Sequence, residues 1–160
     1  MKSQKKKVFV EIGVCDFDTL EPLLDNGWEG YFVEPIKKYA DKITHNMTNC
    51  AISSYNGTME MYMSNGLDEG WSKGISHAVE QQGEKLLEYA GNQKFLDRKI
   101  TVPCMTLQSY LKENNITHID YLQVDVEGHE MDIFEAYDWS VKPTFMKVEH
   151  YHINDIKLSE

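Results

Sequence analysis

Four short apolar runs, each meeting an acid at its far end, set the strongest limit on the fold. They are "KVFVEIG" (residues 7–13), "GYFVEP" (30–35), "IDYLQVD" (119–125) and "TFMKVEHY" (144–151). "KVFVEIG" reads as a buried strand, and the others repeat its pattern of a short apolar run closed by an acid. The stretches around them carry the other period. "DFDTLEPLLDNG" reads as a helix, with Asp18 or Thr19 as its cap, Pro22 in the first turn, Leu20, Leu23 and Leu24 on one face, and Gly27 at its end. "IKKYADKITHNM" sets Ile36, Tyr39, Ala40 and Ile43 at helical spacing, "TLQSYLKENN" turns Leu107, Tyr110 and Leu111 inward, and "EMDIFEAYDW" fills the gap between the last two strands. Strands that alternate with helices call for an α/β fold, a mainly parallel sheet with helices on both faces.

The middle of the chain reads differently. "NCAIS" fits a third strand, and "GTMEMYM" alternates Met59, Met61 and Met63 with Glu60 and Tyr62, the period of a half-exposed strand. Residues 64–99 are rich in glycine and polar side chains and read as an insertion; "KITVP" resumes as a strand, placed beside the methionine strand. At 160 residues the chain is expected to be one domain over 1–160 carrying that insertion.

Composition narrows the partners. The formal net charge is −10 and local basic runs are few, which disfavours nucleic acid, since duplex affinity comes from Lys and Arg on phosphates. Lys5, Lys6 and Lys7 read as a solvated flank. The apolar run behind them is short, contains Glu11 and has no small-residue cleavage site, so it does not read as a secretory signal. No run approaches the length that spans a membrane. The three cysteines Cys15, Cys50 and Cys104 are odd in number and widely spaced, matching neither a disulfide framework nor a CxxC metal site. A cytoplasmic location without membrane contact is the expectation, with oligomeric state open.

In an open parallel sheet, ligands sit beyond the carboxyl ends of the strands, where strand order reverses. That gives Glu11, Glu34, Asp125 and Glu149 one expected address. The turn "EIGVCDF" offers Gly13 for close backbone approach, and Glu34 follows 21 residues later, near the spacing at which an acid meets a ribose in dinucleotide folds. The positions after Gly13 are Val14, Cys15, Asp16, Phe17 and Asp18. They supply no second or third glycine, and two carboxylates would face a pyrophosphate. A cation suits this turn better, and S-adenosyl-L-methionine carries both a sulfonium and an ammonium group.

The order of motifs resembles that of the FkbM-type S-adenosylmethionine-dependent methyltransferases, whose first motif is roughly D-x-G-A-N-x-G, whose second strand ends in E-P, and whose fourth strand carries D-x-E-G-x-E. Here these read "EIGVCDF", "VEPIKKY" and "DVEGHE", supported by "AISSYNG", "TLQSYL" and "VEHYH". The resemblance implies a Rossmann-like three-layer sandwich. It implies that Glu11, Gly13, Val14, Cys15 and Asp16 hold the methionine end of the cofactor, that Glu34 beside Pro35 takes the ribose, and that Cys50 and Ala51 edge the adenine. Asp125 would lie near the cofactor's amino group and the methyl. Phe17 stands where the family has its second glycine, and Cys15 where asparagine is usual. The family continues past its fifth strand to a helix and a strand pair, whereas this chain ends at Glu160; a clipped sequence or a reduced sheet are both open.

Methyl transfer is an in-line displacement, so the chain must align acceptor and methyl and exclude water. For a hydroxyl acceptor the candidate bases are Asp125, His129, His150 and His152, with Asp125 and His150 preferred. A metal held by Asp125, Glu149, His150 and His152 is weighed and set below a metal-free site. The expected function is O-methylation of a small-molecule or sugar hydroxyl. The alternatives are a nicotinamide-dependent oxidoreductase and a catalytically inactive protein-binding module.

Overall fold

The computed structural model describes residues 5–15, 20–63, 76–77 and 98–149. In chain order the first strands and helices are β1 (Val8–Ile12), α1 (Pro22–Asp25), β2 (Glu29–Val33), α2 (Lys37–Ala40), β3 (Met47–Thr48) and β4 (Ala51–Ser53). They are followed by β5 (Gly57–Met63), β6 (Ser76–His77), β7 (Arg98–Thr106), α3 (Leu107–Glu113), β8 (Tyr121–Val124), α4 (Glu130–Ala136) and β9 (Phe145–Val148).

Five strands form the parallel sheet that alternation requires, in the order β3-β2-β1-β8-β9. Chain order runs outward in one direction from β1 to β3 and in the other from β8 to β9. The reversal falls between β1 and β8, and the cleft position of such a sheet lies there. Side chains alternate across the sheet. Val8, Val10, Ile12, Leu122 and Val124 face Leu107, Tyr110 and Leu111 of α3 and Ile133 of α4. On the opposite face Phe9 and Phe32 meet edge-on, with centroids 5.3 Å apart, and pack against Leu20 and the half-buried Leu23 and Leu24 of α1. Burying a side chain of this size contributes roughly 1.5–3 kcal/mol, so both faces help hold the sheet. Helices on both faces of a mainly parallel sheet make the fold α/β and Rossmann-like, as expected.

A second sheet, β4-β7-β5-β6, corrects one expectation. "NCAIS" does not extend the parallel sheet: Ala51, Ile52 and Ser53 pair with Cys104, Met105 and Thr106 of β7. The two-residue strand β3 takes the edge beside β2 instead. The switch occurs at Asn49, whose side-chain Nδ2 donates to the carbonyls of Glu34 and Pro35 at 2.8 and 2.9 Å and so redirects the chain between β3 and β4. The methionine strand β5 pairs antiparallel with β7, burying Met59 and Met61 against Val102 and Cys104, as its alternation predicts.

The helices differ mostly in length. α3 starts at Thr106, whose hydroxyl accepts the Ser109 N–H at 3.2 Å, and it buries the three residues its spacing points inward. α1 keeps Pro22 in its first turn and is followed by Gly27 at φ +81°, while Asp18 and Thr19 lie outside the described residues. α2 covers only Lys37–Ala40. Ile36 is extended and packs with Tyr39 and Cys15, whereas Ile43 joins the cluster around Phe32, so their helical spacing is split between two contacts. Of the expected insertion, only Ser76–His77 and the start of β7 are described.

Candidate functional site

Strand register builds the site. Ile12 pairs with Val33 on one side and with Val124 on the other, and Val124 pairs with Val148. The next residue on each strand is therefore level with its neighbours: Glu34, Gly13, Asp125 and Glu149 form one row along the carboxyl edge. Backbone bonds carry the register into that row, from Gly13 N to Val33 O at 2.9 Å, Asp125 N to Ile12 O at 3.0 Å and Glu149 N to Val124 O at 3.0 Å.

Gly13 sits at the switch point with φ +82°, and a Cβ built on it would stand 1.7 Å from the carbonyl oxygen of Asp125. No side chain fits there, so the β1 turn and the end of β8 approach as closely as two backbones can. Val14 is buried, and Cys15 at φ +54° turns its N–H onto Glu34 Oε2 at 2.8 Å. The other oxygen of Glu34 accepts the Ile36 N–H at 2.7 Å. Glu34 is thus buried at the tip of β2, and it ties the first turn to the start of α2. Pro35 is half-buried beside it.

Glu11 is not on the edge where the sequence pattern put it. It lies inside β1, 2% exposed, accepting Gln123 Nε2 at 2.9 Å and the Leu20 N–H at 3.2 Å. The strand continues to Ile12, so the acid points into the face covered by the α1 end of the chain, where it anchors that segment. Cys50 and Ala51 are both buried and pack in the two separate apolar clusters that meet at the start of β4. Asp16, His150 and His152 lie outside the described residues.

The row's acidic end is denser than the sequence suggests. One carboxylate oxygen from each of Asp125, Glu127 and Glu149 lies within 4.8 Å of the other two, and these three could hold a metal ion. Glu127 joins because the chain turns back on itself, with Glu127 at φ +55° and Gly128 at φ +98°. Burial first, then the charges of Asp125 and Glu130, push the Glu127 carboxyl up to about 7. The glycine that follows Glu127 is the sequence signal for this turn.

Glu130 lies in α4's first turn, where the helix dipole favours an acid, and it is fully buried, with Oε1 accepting the Val126 N–H at 3.0 Å. It braces the loop that carries Asp125 and Glu127.

His129 completes the turn by bridging the two sheets. Its Nε2 lies 3.1 Å from Ser53 Oγ at the end of β4, and its Nδ1 lies 2.9 Å from Asp132 Oδ2. The order Ser–His–Asp matches that of a nucleophilic relay, but Ser53 is 0% exposed and cannot meet a substrate. The Nε2 contact with Ser53 fixes the turn onto β4.

The family model for the methyltransferase FkbM domain matches residues 8–158. No curated protein and no solved structure gives a match. The matched span takes in the first turn, the Glu34–Pro35 corner and the turn from Asp125 through Glu130, the same segments that build the carboxyl edge. On that match the chain belongs to the methyltransferase FkbM domain family.

Proposed function

We propose that the protein transfers a methyl group from S-adenosylmethionine to a hydroxyl oxygen of a small molecule or sugar. The observation that carries this reading is the meeting of Gly13 with Asp125 at the switch between β1 and β8. The chemistry of the edge fits such a donor. Gly13 lets the β1 turn close onto the end of β8, and carboxylates rather than lysines line the far end, which favours a cationic ligand over a pyrophosphate.

When bound, the donor supplies a methyl group on a positively charged sulfur. The protein's own part is positional. Asp125, fixed by its backbone bond to Ile12, offers a carboxylate to the ammonium end of the ligand. Gly13 to Cys15 present a turn whose path is held by Val33 and Glu34, and Glu34 is the residue assigned to the ribose. The acceptor oxygen is assigned to the acidic end of the row, beside Asp125. Orientation of this kind accounts for a large share of such a rate, because the displacement needs nucleophile, carbon and leaving sulfur in line. His150 remains a candidate base. The acidic balance of the chain, −10 overall, agrees with an acceptor other than nucleic acid.

Calorimetric titration with S-adenosylmethionine, S-adenosylhomocysteine and NADH tests the proposal. Binding of both sulfur compounds and none of NADH is expected. Failure of both to bind sinks the methyltransferase reading, and preference for NADH replaces it with an oxidoreductase.

A further inference from the structure

We propose that Asp125, Glu127 and Glu149 form a binding site for one hard divalent cation, completed by water held on Glu130. The three carboxylates come from three separate pieces of backbone: the end of β8, the left-handed turn after it, and the end of β9. Their oxygens converge within 4.8 Å, a spacing that one central ion can bridge. A donor set made only of carboxylate oxygens selects magnesium, manganese or calcium over zinc or copper, which prefer nitrogen and sulfur.

A second observation points to a ligand at the same place. Glu130 is fully buried, its Oε1 is fixed on the N–H of Val126, and its Oε2 has no hydrogen-bond partner among the described residues. Val126 is the residue between Asp125 and Glu127, so the orphan oxygen is held against the loop that carries both. A buried carboxylate oxygen without a donor is costly. Water on a cation at the cluster has the donors that this oxygen lacks, and carboxylates that orient metal-bound groups in this way are a regular part of such sites.

The consequence for catalysis rests on the methyltransferase reading. A cation beside Asp125 would bind the acceptor hydroxyl directly and lower its pKa, making the oxygen nucleophilic while its proton passes to solvent. Binding of the cation itself requires no such reading.

The test is titration of the full chain with MnCl2 alone after EDTA treatment, followed by water-proton relaxation, with thermal unfolding in the same samples. One manganese per chain is expected, with a rise in unfolding temperature that magnesium reproduces. Glu149→Gln and Glu127→Gln should each weaken manganese binding at least tenfold, and both variants, having lost a repulsive charge, should stay folded in EDTA. Absence of manganese binding, or binding unchanged in both variants, overturns the site. S-adenosylmethionine binding measured in EDTA keeps the two readings apart. Manganese binding without S-adenosylmethionine binding leaves the cation site standing and removes the methyltransferase reading. The reverse removes only the cation.

Discussion

Gly13 stands against the carbonyl oxygen of Asp125 so closely that a Cβ on it would lie 1.7 Å away. Two loops 112 residues apart in sequence are thereby packed backbone to backbone at the centre of the carboxyl edge. The contact explains why a glycine is needed there on two separate grounds, the positive φ of 82° and the absence of space.

Gly13→Ala should therefore destabilise the fold by at least about 2 kcal/mol, since left-handed strain and overpacking each cost about 1–3 kcal/mol. Urea unfolding of the variant checks this. A loss under 0.5 kcal/mol, with unchanged m-value, would show that the two loops part easily. Because the colliding atom belongs to the backbone of Asp125, the variant should also lose affinity for S-adenosylmethionine, beyond what a general loss of stability produces.

Glu34→Gln tests the other end of the row. The amide can still accept the Cys15 N–H or the Ile36 N–H through its oxygen, but its NH2 group cannot accept the second. A stability loss of about 1–3 kcal/mol is expected, the range for leaving a buried donor unmet. If the residue also holds a ribose, affinity for S-adenosylmethionine should drop at least tenfold while affinity for free methionine is unchanged. Equal losses for both ligands would assign Glu34 to the turn alone.

How much of this was readable beforehand depends on where the chemistry sits. The parallel sheet was legible because β1, β2 and β8 are short, mostly buried apolar runs, whereas the edge strand β9 is largely exposed and was legible only from its place after α4. Glu34, Asp125 and Glu149 were legible as strand-end acids, since the residue after a buried strand is level with its neighbours. Glu11 looked like the same signal but lies one residue short of its strand's end, an offset within the error of any boundary drawn from pattern. The second sheet was hidden because β4 is three residues long and its direction is set by Asn49, a hydrogen-bonding effect that periodicity does not carry. Glu127 and Glu130 were hidden because their roles follow from a left-handed turn and from burial, neither of which spacing alone reports.

The thiols should be inert in the folded state. Cys15, Cys50 and Cys104 are all buried, and none forms a disulfide. Burial, with smaller contributions from Cys104 and Glu113, pushes the Cys50 thiol up to about 12, and burial raises Cys104 as well. At pH 8 iodoacetamide should label the native protein at none of the three within the time that labels all of them in 6 M guanidinium. The sign of the linkage follows. An unfolded thiol ionises near 9 and the folded Cys50 near 12, so the unfolded chain holds fewer protons between those values. Stability should fall as pH rises from 9 toward 12, and Cys50→Ala should flatten that slope. Fast native labelling of Cys50 would contradict the buried position of the β4 start.

The bridge from Ser53 through His129 to Asp132 makes the last prediction. The Ser53 hydroxyl meets Nε2 of His129, so the fully buried Ser53 joins β4 to the turn that carries Glu127, while Nδ1 lies 2.9 Å from Asp132 Oδ2. Ser53→Ala leaves Nε2 without its partner and should cost about 1–2 kcal/mol. Asp132→Asn should cost less, because Asp132 is half exposed and its contact with His129 is screened. If the three act as one chain, the double variant should lose less than the sum of the two single losses, by about 0.5 kcal/mol or more. Additive losses would mean that His129 makes two independent contacts. A Ser53→Ala variant that keeps full stability but loses an esterase activity would restore the nucleophilic reading that the burial of Ser53 excludes.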